Sequence, residues 1–113
     1  MTTPESQALA AYPELQHLID LRDTGWTFHV AANDGHITQI YGHHHWPDGW
    51  TDLLVIHHHT DAAAARSTPD GGLVWTHDGD LVEVITHLTA LPDPDEPLAP
   101  QLIIGRAPTL WTP

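Results

Sequence analysis

Histidines are the residues of this sequence best suited to do chemistry, and six of them form two triplets. The triplets are His43–His45 and His57–His59, in a chain of 113 residues with eleven histidines and no cysteine. Imidazole is a common metal ligand, and its ordinary pKa lies closest to neutral pH among the side chains. The pattern therefore indicates a metal site or a response to pH.

The expected pairing of two strands limits how the triplets can act together. If residues 36–45 and 51–59 pair across a turn at 46–50, His43 lies opposite Leu53, and the second triplet lies towards the other end of the hairpin. The offset of about six residues corresponds to ~20 Å along a strand. A zinc–imidazole bond is only about 2.1 Å long. We therefore expect two separate histidine patches and not one coordination sphere.

The favoured metal site uses His57 and His59, because alternate strand residues share one face. Each such pair needs a third ligand, which His36 or Asp61 could supply. The cofactor would be a divalent transition metal such as zinc, nickel or copper. Calcium and magnesium are not expected here, because they prefer oxygen ligands.

A second candidate metal site uses His43 and His45 with Asp48 or Asp52. A regular register places His29 on the other face of the sheet, away from this pair. Two further interpretations stay open for both triplets. They are polar surface residues without a ligand, or they form an interface controlled by protonation.

Charge excludes several classes of partner. Fifteen acidic residues stand against three arginines and no lysine, which gives a net charge of −12 with neutral histidines. Phosphate contacts need Lys or Arg, so we expect no nucleic-acid binding, and anionic membrane surfaces are disfavoured for the same reason. A basic protein or a cation is the favoured partner.

Enzyme motifs are lacking in the sequence. No nucleophile elbow, phosphate-binding glycine loop with lysine, or His-Glu-x-x-His sequence occurs. His77 and Asp78 could act as a base and the group that orients it, with His87 on a following helix, and His29 is a further candidate. This small-enzyme hypothesis ranks third, and no catalytic residue is assigned.

Size and composition predict that residues 1–113 form a single domain. The absence of cysteine excludes disulfides and thiolate metal sites. No segment resembles a signal peptide or an apolar span of ~20 residues, so a cytoplasmic location is expected. We expect residues 1–11 to be flexible and the proline-rich tail, 92–113, to pack on the domain.

Hydrophobic periodicity predicts the main elements that would position these side chains. A helix is expected at 13–23, and strands at 26–32, 36–45 and 51–59. Asn33-Asp34-Gly35 predicts a tight hairpin turn between the first two strands.

The second half predicts weaker elements. They are a fourth strand at 62–68, a helix from Asp78 or Asp80 to about Leu91, and an edge strand or docking segment at 102–104. The predicted fold class is α+β. It is an antiparallel β-meander of about four strands with an N-terminal and a C-terminal helix packed on it.

Two tryptophans and one arginine are candidate interaction residues. Trp46 and Trp50 bracket a Pro-Asp-Gly turn, and an exposed tryptophan pair would be a binding hot spot. Arg106 could hold the tail against the acidic body or contact an anionic ligand. Core packing is the simpler interpretation of the tryptophans.

Three motifs carry a resemblance to other proteins. Trp46-Pro-Asp-Gly-Trp50, Gly71-Gly-Leu-Val-Trp75 and the sequence from Ala107 to Pro113 together resemble short uncharacterised proteins of high-GC bacteria. The resemblance covers most of residues 20–113. It implies one complete small bacterial domain and no particular activity.

The leading functional hypothesis is a non-enzymatic, acidic protein-interaction or regulatory module. Its partner would be a protein, with a second copy of the chain, docked through a sheet edge or the tryptophan turn, as one alternative. The alternative function is transition-metal binding through the clustered histidines.

Overall fold

One antiparallel sheet, whose strands follow one another in chain order, organises the protein. The computed structural model describes Pro13 and residues 15–106. The segment expected to be flexible, 1–11, and the motif from Ala107 to Pro113 lie outside the described residues. The α+β class, the antiparallel sheet and the two helices near the ends of the sequence are confirmed.

The expected count of about four strands is too low. Within residues 15–106 the sheet has five long strands and a two-residue sixth strand, in the order β1-β2-β3-β4-β5-β6 with antiparallel neighbours. The missed strand, β5, contains the apolar piece Leu73–Trp75 and continues through polar residues. The strands are β1 Thr27–Asn33, β2 His36–His45, β3 Thr51–His58, β4 Asp61–Ser67, β5 Gly72–Gly79 and β6 Gly105–Arg106.

The turn between β1 and β2 follows from its sequence. Asp34 and Gly35 adopt positive φ angles of 53° and 78°. A tight hairpin turn needs these angles, and Asp-Gly tolerates them better than most residue pairs. The turn sets the β1–β2 register, which shifts between Ala31 and Ala32 at a β-bulge.

Two nine-residue helices occur in the described part of the chain, one on each side of the long strands in sequence: α1 is Leu15–Asp23 and α2 is Leu81–Thr89. Asp80 caps α2, because its Oδ1 accepts a hydrogen bond from the Glu83 backbone N–H at 2.8 Å. Of the two caps expected from the sequence, Asp80 is therefore the one used.

Both described helices pack on the same face of the sheet. Small alanines in the middle of β4 let α2 approach closely, and Leu54 of β3 is fully buried beneath the helices. Neither described helix spans a membrane, since each is too short. The buried cluster contains Leu18, Leu21, Trp26, Leu54, Ile56, Ala62, Ala64, Leu81, Val84, Ile85 and Leu88.

The described part of the tail folds back on the sheet and on itself. The Pro92 carbonyl accepts a hydrogen bond from Arg66 Nη1 at 2.5 Å, and Gln101 Nε2 donates to the Pro94 carbonyl at 3.1 Å. The Ile104 N–H donates to the Leu73 carbonyl at 2.7 Å, just before β6 begins. The predicted edge strand therefore lies about two residues further along the chain.

Candidate functional site

A buried ion pair lies on the helix-packed face of the sheet. Asp52 of β3 and Arg66 of β4 are cross-strand partners in the register. Arg66 Nε and Nη2 donate to the two Asp52 carboxylate oxygens at 2.6 and 3.0 Å. The Asp52 side chain is only 5% exposed and the Arg66 side chain only 1%. Both carboxylate oxygens thus accept a hydrogen bond, and the Pro92 carbonyl of the tail accepts a third hydrogen bond from the guanidinium.

A pocket of about 240 Å³ lies beside this ion pair. The central carbon of the Arg66 guanidinium lies over the Trp46 ring, 5.6 Å from the ring centroid. The ring centroids of His44 and Trp46 are 4.7 Å apart, and these two rings meet edge-on. Trp46 Nε1 and His44 Nδ1 are buried without a hydrogen-bond partner among the described residues. The lining residues are Leu21, Thr24, Trp26, His44, Trp46, Asp52, Arg66, Leu88, Thr89, Leu91 and Asp93.

A second depression, of about 330 Å³, separates the tryptophan turn from the start of the tail. The turn is closed by the Trp46 N–H, which donates to the Trp50 carbonyl at 2.8 Å. Both tryptophans are partly buried, whereas the carboxylates around them are exposed. We call this depression the Trp–acid groove, and its lining residues are Trp46, Pro47, Asp48, Trp50, Asp93, Pro94 and Asp95.

Three exposed carboxylates meet at the tail side of the groove. Asp93, Asp95 and Glu96 have ligand oxygens within 4.8 Å of one another, and they form the one such group of potential metal ligands in the described part of the chain. A turn holds them together, because the Glu96 N–H donates to the Asp93 carbonyl at 2.9 Å. Negative charge is therefore concentrated beside two aromatic rings.

Large aliphatic side chains follow the acidic turn and remain in solvent. Leu98 is 89% exposed and Leu102 is 79% exposed, while Ile103 and Ile104 are 57% and 60% exposed. Scattered single exposed apolar residues are ordinary, but four within seven positions indicate a contact surface. The bond from Gln101 to Pro94 holds this apolar segment next to the acidic turn.

Two members of the first histidine triplet, His43 and His45, belong to a different cluster, on the face of the sheet opposite the described helices. The expected pairing of His43 with Leu53 is confirmed. The expectation that His29 faces the other way is wrong, because the register pairs His29 with Tyr41 and so places it diagonally beside His43. Their Nε2 atoms are 3.3 Å apart, and the His45 ring lies 4.7 Å from that of His43.

Burial, together with neighbouring His45 and His29, lowers the pKa of His43 below its ordinary value of 6.5. Because the unfolded chain then binds the proton more tightly, this group costs stability as the pH falls through 6.5, and the cost is complete below the pKa of the folded state. We expect His29→Gln to raise the pKa of His43 only part of the way, since burial is the largest cause.

The measurement is an NMR titration of the His43 ring protons in the original chain and in the variant. His57→Gln, a substitution in the other triplet, is the matched control and should leave the midpoint unchanged. An unchanged midpoint in His29→Gln would show that the two rings do not interact electrostatically.

The second triplet lies at the opposite end of the β2–β3 hairpin. His57, His58 and His59 are exposed, and His58 Nδ1 lies 2.8 Å from Thr60 Oγ1. Asp61 is the register partner of His58.

The favoured ligand set from the sequence stays a prediction. It consists of His57 and His59 with His36 or Asp61. His36 begins β2, but its side chain lies outside the described part of the structure. For the second set, Asp52 is engaged by Arg66 and Asp48 lines the Trp–acid groove.

Other candidate residues are placed as follows. The rings of His77 and His87 stack at 4.0 Å, and His77 Nε2 lies 3.3 Å from a Glu83 carboxylate oxygen. Arg106 joins the sheet through its backbone, opposite Gly72, and its side chain lies outside the described residues. The assignment of Arg106 as an interaction residue therefore stays a prediction.

The sequence interpretation missed how the groove and the His29 contact are assembled. Asp93 and Asp95 lie in the segment interpreted only as a proline-rich tail, and nothing local to them indicated that the tail would bring them to the tryptophan turn. The Asp34-Gly35 turn alone predicts that His29 pairs with Ile40, which would place it on the face away from His43. The β-bulge between Ala31 and Ala32 shifts the pairing of His29 to Tyr41, and the turn sequence does not indicate that shift.

Comparison with protein-family models, with curated proteins and with solved structures found no match to this chain. The fold and the sites define the class: an α+β domain with a meandering antiparallel sheet and an aromatic, acidic groove beside its tail. Its function is therefore inferred from the sites themselves.

Proposed function

We propose that this protein is a non-enzymatic protein-interaction module that binds basic side chains of a partner protein in the Trp–acid groove. The observation that carries the proposal is the meeting of two tryptophan rings with carboxylates from two separate segments in one depression of about 330 Å³. Aromatic faces and carboxylates together attract Lys and Arg, through cation–π and ionic contacts.

Charge supports a basic partner in preference to a second copy of the chain. The net charge is −12 with neutral histidines, so two copies repel each other while a basic protein is attracted. The groove itself presents Asp48, Asp93 and Asp95, with Glu96 close to them. Electrostatic steering of this kind raises the association rate and falls with ionic strength.

The exposed aliphatic segment supports a partner that is also apolar. Leu98, Leu102, Ile103 and Ile104 follow the acidic turn and are all more than half exposed. Buried apolar contacts supply affinity, whereas charged rims mainly supply specificity and rate. A partner with basic residues next to aliphatic ones matches both features.

A pair of synthetic peptides tests the proposal on the full chain. One peptide alternates arginine and leucine, and the other has glutamate in place of each arginine. We expect the arginine peptide to bind, and we expect Asp93→Asn with Asp95→Asn to weaken it at least about tenfold, which is ~1.4 kcal/mol. Binding is measured by calorimetry at low and at physiological salt.

The matched control is Asp61→Asn with Asp78→Asn, two exposed aspartates that change the net charge equally but do not line the groove. We expect less than about a twofold effect from this pair. Trp50→Leu should weaken binding about five- to tenfold, because it removes one cation–π contact at a site that is partly shielded from water. Equal losses in both aspartate pairs, or equal binding of the glutamate peptide, would contradict the proposal.

A further inference from the structure

We propose that His29 and His43, with His45 as third ligand, form a binding site for a divalent transition metal, zinc being the best fit. The site lies across β1 and β2, on the sheet face opposite the described helices. It is distinct from the Trp–acid groove and does not depend on the function proposed for that groove.

The distance between two ring nitrogens carries the proposal. The Nε2 atoms of His29 and His43 are 3.3 Å apart, and their rings are inclined by only 23°. Two ligands at 2.0–2.1 Å from a tetrahedral zinc ion are about 3.3–3.4 Å apart. The nitrogens are thus already at the separation that a shared ion requires, in a contact that is a hydrogen bond between the two rings when no ion is bound.

His45 becomes the third ligand only when its ring rotates, because the three rings do not yet bring one nitrogen each within 4.8 Å of one another. It shares a face with His43, two residues away on β2, and the two rings are 4.7 Å apart at a tilt of 44°. Its Nδ1 contacts Thr51 Oγ1 at 3.1 Å on an exposed surface. Breaking this contact costs little free energy, because water can replace the lost hydrogen bond. Two alternate histidines on one strand and a third on its neighbour then leave the fourth zinc position for water.

The surroundings of the site set its expected strength. Metal-bound histidines usually donate their other ring N–H to a partner, and losing that partner costs about 10- to 100-fold in affinity. His43 Nδ1 is buried without a partner among the described residues. We therefore expect 1:1 binding with a dissociation constant in the low micromolar range. The net charge of −12 favours any cation.

Cobalt and zinc titrations of the full chain, made without a histidine tag, test the site. We expect one Co²⁺ per chain with the intense visible absorption of tetrahedral coordination, displaced by one Zn²⁺. His29→Gln replaces an exposed side chain, so it should fold normally, and we expect it to weaken cobalt binding at least about tenfold. His45→Gln should weaken binding and reduce the absorption.

The control variant is His57→Gln with His59→Gln, which removes two exposed histidines from the other triplet. We expect less than about a twofold effect, because this pair lies at the opposite end of the hairpin. Equal loss in the control and in His29→Gln would overturn the proposal, since it would indicate binding spread over many histidines. The pale spectrum of octahedral Co²⁺ in the original chain would overturn it as well.

Discussion

Replacing Arg66 with methionine is expected to lower the free energy of unfolding by about 3–5 kcal/mol, because Asp52 would remain as a buried carboxylate without its partner. The guanidinium is 1% exposed and donates to both Asp52 oxygens and to the Pro92 carbonyl. Its removal also leaves that carbonyl without its donor. Urea unfolding followed by circular dichroism measures the change.

Two comparisons make this expectation specific to the buried pair. Arg22→Met alters an exposed arginine at 4.0 Å from Asp23, and we expect a change below about 1 kcal/mol. Asp52→Leu combined with Arg66→Met removes both charges and should recover most of the loss. If Arg66→Met destabilises no more than Arg22→Met does, the buried pair makes no special contribution.

Replacing Leu54 with alanine is expected to lower the free energy of unfolding by about 3 kcal/mol, within the usual 2–5 kcal/mol for a buried leucine. Leu54 has no exposed surface and lies in the cluster shared by both described helices and the sheet. The cost includes a cavity, because packed strands and helices relax only partly into the vacated space. The same urea experiment measures it.

Leu98→Ala is the matched control for this substitution. Leu98 is 89% exposed, so the same atoms are deleted without a cavity and the change should stay within about 0.5 kcal/mol. A similar loss at both positions would show that Leu54 does not belong to the buried core.

Local patterns were sufficient to predict β2, whose bounds His36–His45 agree with the sequence prediction. Turn sequences on either side, Asn33-Asp34-Gly35 and Pro47-Asp48-Gly49, limit its length. The presence of α2 could also be predicted, because its apolar stripe and the Asp80 cap are both short-range features of the sequence. Fold class followed from the order of these elements.

β5 was missed for a physical reason. Only its first half is apolar, and Thr76 to Asp78 has the polar character of a loop or a helix cap. Its strand conformation depends on pairing with β4, which is a contact between segments and not a local preference. The same holds for the ion pair of Asp52 with Arg66, since the pairing of β3 with β4 brings the two side chains together.

The Trp–acid groove was predictable in composition but not in place. Trp46 and Trp50 were candidate interaction residues, with core packing as the simpler interpretation, and the carboxylates of the tail are close together in the sequence. What joins them is the path of the tail, which is set by the buried Arg66 guanidinium holding the Pro92 carbonyl. A site made by a returning tail cannot be derived from the spacing of either segment alone.

The chain-order arrangement of the sheet has a kinetic consequence. From β1 to β5, each strand pairs with the strand next to it in sequence. Loop closure is inexpensive for such short connections, and low contact order favours rapid folding. The hairpins can therefore form one after another during synthesis. The Trp–acid groove forms only after the tail segment that carries Asp93 and Asp95 has left the ribosome.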